Sequence, residues 1–255
     1  MGTAQFEADR AHSQLIAIVA HQLRYPLVPI RNAAALLQHD VVDTATIRRS
    51  AGIIERQVKG MNRLIGDLVD VSRMQRGTLE IRRVRAQLST LVECAIESAQ
   101  PFANERGHTL TVSVSKEPVY LYMDLLRLCQ AMLNIIANAT KYTDGHGNIH
   151  VRAHRAGTQV IIIVSDRGIG IAESELDAIF GLFAKSDQGM RVEQGLGIGL
   201  YLARHFIEAH GGTVTAASAG PGRGSDFTIQ LPCEAPTAGR VASGGEEPRG
   251  DLIHA

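Results

Sequence analysis

Two stretches near the start of the chain repeat apolar residues in alternating steps of four and three. The first runs Ile16, Ala20, Leu23, Leu27, Ile30, Ala34, Leu37, and the second Ile47, Ala51, Ile54, Val58, Met61, Ile65, Leu68. A period near 3.5 residues draws a narrow seam along a helix, and such a seam wants another helix against it. Between the two, His39-Asp40-Val41-Val42-Asp43 breaks the pattern, and Asp43 or Thr44 is suited to cap the second helix. The pattern predicts a helical hairpin over residues 7–76. One hairpin of this size buries little surface, so a four-helix bundle made with a second copy is the expected solution. The chain is therefore expected to be a homodimer.

After Arg76-Gly77 the pattern changes. Helices are predicted over 87–106, 125–142 and 197–210, and strands over 109–115, 119–122, 148–155, 158–165, 213–218 and 226–231. Residues 78–81 read as a short strand or a connector. Helices and mostly antiparallel strands in separate runs predict an α+β two-layer domain over 77–232, a mixed sheet with helices on one face. The remainder, 233–255, is rich in Gly, Pro, Ala and Glu without periodicity and is expected to be a disordered tail.

Charge and cysteine usage narrow the function classes. Lys and Arg together number 26, as do Asp and Glu, so the formal net charge is zero and there is no case for nucleic acid as partner. Cys94, Cys129 and Cys233 are odd in number and lack CxxC spacing, which argues against a disulfide scaffold or zinc site and for a reducing compartment. No apolar run approaches the roughly 20 residues of a membrane span, and no secretion signal is recognisable. Phe6 stands where a Met-Gly lipidation signal would have Ser or Thr. A cytoplasmic location is expected. Residues 1–15 leave no room for a sensory domain, so a sensory input domain or partner protein is expected outside this chain.

Three clusters in the second region carry candidate chemistry. Asn134, Asn138 and Lys141 lie at helical spacings, so two carboxamides and an ammonium share a face that suits phosphate oxygens and a hydrated Mg2+. Asp166-Arg-Gly168-Ile-Gly170-Ile171 follows an apolar strand, where a carboxylate can accept from an exocyclic amine and glycines let a flat base approach. Gly195-Leu196-Gly197-Ile198-Gly199-Leu200 opens a helix, a ready phosphate cradle. Each is weak alone; the glycine runs match neither a P-loop nor a dinucleotide fingerprint. His146, His150 and His154 recur every four residues, but on a strand that spacing is roughly 13 Å, too far for one metal ion. His205 and His210 sit near a helix end, where they complement its dipole.

Taken in order, the clusters resemble the histidine-kinase branch of the gyrase, Hsp90, histidine-kinase and MutL ATPases. Asn134–Thr143 is similar to the N box, Asp166–Ile171 to the first glycine box and Gly195–Leu200 to the second. Ile179–Asp187 resembles the phenylalanine box and start of the ATP lid. Gly222–Phe227 resembles a third glycine box, and Asp124–Gln130 the approach to the N box. The resemblance implies ATP and Mg2+ as cofactors. Asp166 would read the adenine amine, and Asn138 would ligate Mg2+ with Asn134 nearby. Lys141 and Lys185 would face the phosphates, and Gly168 and Gly170 would line the base pocket. Gly195, Gly197 and Gly199 would let the lid wrap the triphosphate, and Tyr142, Ile171, Leu196, Leu200 and Ser225 complete the implied set. Hydrolysing relatives carry Glu where this chain has Asn134; an amide cannot activate water, which favours phosphoryl transfer to another acceptor.

The first helix offers that acceptor. His21-Gln22-Leu23-Arg24-Tyr25-Pro26-Leu27 resembles the H box of the family, usually His-Glu-Leu-Arg-Thr-Pro-Leu. The apolar seam skips His21, so its imidazole is expected to project away from the bundle core, with Arg24 and Arg31 flanking it. The resemblance implies autophosphorylation of His21 and transfer to an aspartate on a response-regulator receiver domain. Gln22 replaces the usual acid and Tyr25 the usual Thr or Asn, so phosphatase activity is not expected. The same changes leave open a non-catalytic, ATP-binding dimeric scaffold that docks a receiver. A hydrolytic ATPase is a third reading, and Asn134 argues against it.

Overall fold

The computed structural model describes residues 23–38, 43–184 and 196–234. His21, Gln22, Lys185, Gly195 and the segment 235–255 lie outside these. The first helix, α1, is helical over 23–37 despite Pro26 and Pro29. The second, α2, spans Thr44–Gln75, and Asp43 caps it by accepting from the Thr46 N–H at 2.7 Å. Of the two caps allowed by the sequence, the structure uses Asp43. Its carboxyl is held below the ordinary range, first by that backbone N–H and then by the Thr46 hydroxyl. Ala33 of α1 and Ser50 of α2 are buried, small residues that let helices approach closely.

The rest runs β1 (Val84–Gln87), α3 (Leu88–Glu105), β2 (Thr109–Val114), β3 (Tyr120–Met123), α4 (Leu125–Tyr142), β4 (Asn148–Ala156) and β5 (Gln159–Asp166). Two short 3-10 turns follow, then α5 (Gly199–Glu208), β6 (Thr213–Ala217) and β7 (Ser225–Pro232). The main sheet has the order β2-β4-β5-β7-β6. Only β2 and β4 pair in parallel, joined by a crossover that includes α4. Alternate residues on the strands face the core: Ile149, Val151 and Ala153, then Val160, Ile162 and Val164, then Phe227, Ile229 and Leu231. They join the buried faces of α3, α4 and α5 in one cluster, the expected α+β layer. The β5–β7 register ends with Ser165 opposite Asp226 and Asp166 opposite Ser225.

Of the two readings of residues 78–81 the connector holds, and a strand that was not expected, β1, pairs antiparallel with β3 in a separate two-stranded sheet. One expectation needs correcting. Cys94 on α3 and Cys129 on α4 form a disulfide, their Cα atoms 6.1 Å apart, a normal spacing for one. Sequence spacing hid this because the pair meets only when the two helices pack. The cysteine count therefore gives no argument for a reducing compartment.

The α+β layer also touches α2, through its last turns. Arg127 on α4 donates to Asp70 at 2.6 Å, and Gln130 donates to Asp67 at 3.0 Å. The Arg127 guanidinium lies over the Phe206 ring of α5, and Arg63 over Phe102 of α3. Leu64, Leu68 and Met74 pack against the domain core beside buried Val71. No helix among the described residues is long and apolar enough to cross a membrane.

Candidate functional site

The site begins where β5 ends. Asp166 is the last residue of that strand, and its Oδ1 accepts from the Gly168 N–H at 2.8 Å while its Oδ2 accepts from the Ser225 hydroxyl. Burial raises its carboxyl above the ordinary range, and the two donors oppose that shift. The result is a desolvated acceptor held in one orientation. The Ser225 hydroxyl thus helps to fix the Asp166 carboxylate.

The first and third glycine boxes close on each other around this carboxylate. Gly222 donates to Ile169 O at 2.6 Å and Gly224 to Gly168 O at 3.1 Å. Gly224 has a φ of 70°, and a side chain there would collide with Asp166 O. A Cβ on Gly168 would collide with Tyr142 O, so the first glycine box packs directly on the end of α4. Tyr142 O accepts from Ile169 N at 3.0 Å. Ser218, which sequence reading missed, accepts from Ile171 N at 3.1 Å and donates to Gly224 O at 2.6 Å. Its position just before the turn Ala219-Gly220-Pro221-Gly222 was the available signal. A cleft of about 310 Å³ opens here, lined by Asp144, Arg167, Gly168, Ile169 and Gly222.

The N-box side chains lie along α4 toward the same end. The Asn134 amide donates to Gly199 O at 3.1 Å, tying α4 to the start of α5. That bond makes Asn134 a link between the two helices, four residues from Asn138, the expected Mg2+ ligand. Asn138 is half-buried, with no hydrogen-bond partner among the described residues. Lys141 folds over Tyr142, its Nζ donating to the phenol oxygen at 3.1 Å. Leu196 is buried and Leu200 packs against the core, and Gly197 has a φ of 68°. The Phe183 N–H donates to Gly197 O at 2.9 Å, joining the two ends of the lid segment. The structure thus gathers Asn134, Asn138, Lys141, Tyr142, Asp166, Gly168, Gly170, Ile171, Gly197, Gly199 and Ser225 at one end of the domain. Arg24 and Tyr25 stand apart, exposed on α1.

Known proteins share this arrangement. The family model for histidine kinase-, DNA gyrase B- and HSP90-like ATPases matches residues 123–235, and that for the His Kinase A phospho-acceptor domain matches 11–77. Sensor protein SrrB of Staphylococcus aureus is 29% identical over 232 residues, covering 90% of this chain. The chain spans 40% of the length of that relative. The full-length ShkA structure in complex with AMPPNP is 25% identical with a TM-score of 0.62, covering 87% of this chain and 46% of ShkA. The Acinetobacter baumannii histidine kinase AdeS shares the fold at 21% identity and a TM-score of 0.60, covering 83% of this chain and 97% of that one. A phospho-acceptor domain followed by an ATPase domain, with the Asp166 pocket built on the second, places the chain in the two-component sensor histidine kinases, as a transmitter module.

Proposed function

We propose that the chain phosphorylates its own His21 with ATP and passes the phosphoryl group to an aspartate of a response-regulator receiver domain. The observation that carries this reading is the half-buried, doubly hydrogen-bonded Asp166 in a chain whose N-terminal region holds an H box. Asp166 accepts from the adenine amine, and the glycines beside it admit the base. The α5 N-terminus at Gly199 offers the positive end of a helix dipole to the phosphates, and Lys141 swings from Tyr142 to meet them. The Asn138 carboxamide oxygen suits Mg2+, which takes few protein ligands and keeps water and phosphate oxygens for the rest. When bound, Mg2+ neutralises charge on the phosphates.

His21 attacks through an imidazole nitrogen lone pair. The new N–P bond forms as the bond to the β–γ bridging oxygen breaks, and ADP leaves. The surplus imidazole proton goes to water, because Gln22 has no basic group. A carboxylate oxygen of the receiver then takes the phosphoryl group from His21, beside Arg24 and Tyr25. The hairpin 7–76 acts as a homodimer and 77–232 as its ATP domain, in the cytoplasm.

Incubation with γ-labelled ATP and Mg2+ tests the reading. An acid-labile, base-stable label that vanishes in His21→Ala is the expected result, and faster labelling in Gln22→Glu identifies the missing base as a brake. The second reading, an ATP-binding scaffold that docks a receiver, rests on Gln22 and Tyr25. It takes over if the intact chain binds ATP without labelling and Gln22→Glu restores the label.

A further inference from the structure

A polar bond stands at each end of the α4–α5 pair. At the nucleotide end, the Asn134 amide donates to Gly199 O. At the opposite end, His210 lies just past α5 and is only 4% exposed. Its Nε2 accepts from the backbone N–H of Asp124, the N-cap of α4, at 2.9 Å. Its Nδ1 stands 2.6 Å from the carbonyl oxygen of Phe206 on α5. A backbone N–H can only donate and a carbonyl can only accept. The ring therefore carries its proton on Nδ1 and none on Nε2. Between the two bonds, the helices contribute Leu128, Met132, Ile135, Leu202 and Phe206 to one apolar core.

We propose that His210 is a positioning residue for the nucleotide site: as a neutral imidazole it pins the start of α4 to the end of α5, and protonating it releases that end and weakens nucleotide binding. The two helices carry Asn138 and Lys141 on one side and the Gly199 N-terminus on the other, so their relative placement sets the phosphate cradle. A second ring proton would face the Asp124 N–H donor to donor.

The charged groups around the ring belong to three elements. Arg83, ahead of β1, donates to Ala209 O. The Asp124 carboxylate is occupied by the N–H groups of Arg82 and Arg127. The Arg127 guanidinium, paired with Asp70, lies over the Phe206 ring. Burial pushes His210 below its ordinary value of 6.5, and Arg83 acts in the same direction; the Phe206 carbonyl and Asp124 oppose them. The pin is thus intact above the ordinary histidine range and lost as pH falls through the lowered value.

The test measures binding of AMPPNP with Mg2+ to the full chain and to His210→Leu and His210→Gln, each in an Asp67→Asn background. That background removes Asp67, which titrates in the same window. Gln extends an oxygen to about where Nε2 stands but does not titrate. At about pH 7.5, His210→Leu should bind about tenfold more weakly, with the labelling rate at saturating ATP nearly unchanged, and His210→Gln should recover the affinity. Toward about pH 5.5, the chain with His210 should lose affinity that His210→Gln keeps. Nitrogen NMR should show His210 protonated on Nδ1 alone. Equal affinity of folded His210→Leu, or the same acid loss with His210 and with Gln, overturns the proposal. If His210→Leu does not fold, the pH comparison with Gln decides. Absence of binding by the unaltered chain would instead overturn the ATP-site reading.

Discussion

Buried positions on α4 are Leu128, Cys129, Ala131, Met132, Ile135, Ile136, Ala139 and Thr140, all but the last apolar. On α2, the longer helix, they are Ser50, Asp67, Asp70 and Val71, and three of these are polar. Meanwhile Ile47, Val58, Ile65 and Val69 of α2 and Tyr25, Leu27, Val28 and Leu36 of α1 are exposed. The α4 helix is finished by its own chain, with its apolar face sealed against sheet and neighbours. The α2 helix is left open along much of its apolar stripe and meets the ATP domain through Leu64, Leu68, Val71 and Met74 together with hydrogen bonds and an ion pair. Apolar seams left exposed call for a second copy, while small joints of mixed polar and apolar contacts between domains are the kind that can part and re-form.

This contrast can be broken most severely on the hairpin. Ile65→Asp would place an unpaired charge in the dimer seam, and burying one costs several kcal/mol. Sedimentation should show a monomer whose ATP affinity is unchanged; a dimer that survives would remove the case for the stripe. Next in size, Asp166→Ala deletes the acceptor held by Gly168 and Ser225. Losing a charged hydrogen-bond partner should weaken nucleotide binding by roughly 10- to 100-fold, measured by calorimetry, while the dimer persists.

Arg127→Ala strikes the joint itself by leaving Asp70 buried without its cation. Breaking a buried pair costs about 3 kcal/mol, and denaturant titration together with faster proteolysis near residues 78–83 should register it. The smallest effect concerns pH. Burial raises Asp67 to about 6, against opposition from Gln130 and Arg63. Because the docked state holds the proton more tightly, this group favours docking below the ordinary carboxylate value and loses that contribution as pH rises through about 6. Cleavage of the linker should therefore be slower at about pH 5 than at about pH 7, and Asp67→Asn should flatten the difference.

The range of α4 was legible in advance, and so was the helical spacing of Asn134, Asn138 and Lys141 along it, because that spacing is local. The helices of the N-terminal region were legible from their repeated apolar steps, and β4, β5 and β7 were placed to within a residue at either end. What escaped notice depends on partners distant in sequence. Strand β1 has only the residues Val-Arg-Ala-Gln and becomes a strand by pairing with β3. Asp67 and Asp70 gain their partners only when Gln130 and Arg127 arrive from α4. The link from Asn134 to α5 escaped notice because sequence showed its spacing to Asn138 but not the carbonyl of Gly199 beside it. Ser218 gave only the cue of a turn residue.

The β5–β7 register has a consequence for how mutations accumulate in this domain. Asp166 and Ser225 are the terminal partners of a ladder whose inner partners include Ile162 with Ile229 and Val164 with Phe227. Shifting one strand by a single residue would turn those side chains out of the core and separate the carboxylate from its hydroxyl at once. Drift in the core can change the size of these residues but not the alternation, so the Asp166–Ser225 pairing is protected by positions along the ladder that take no part in it. A library that varies β7 while keeping its inward and outward pattern should retain the pocket, and one that inserts a single residue should lose it.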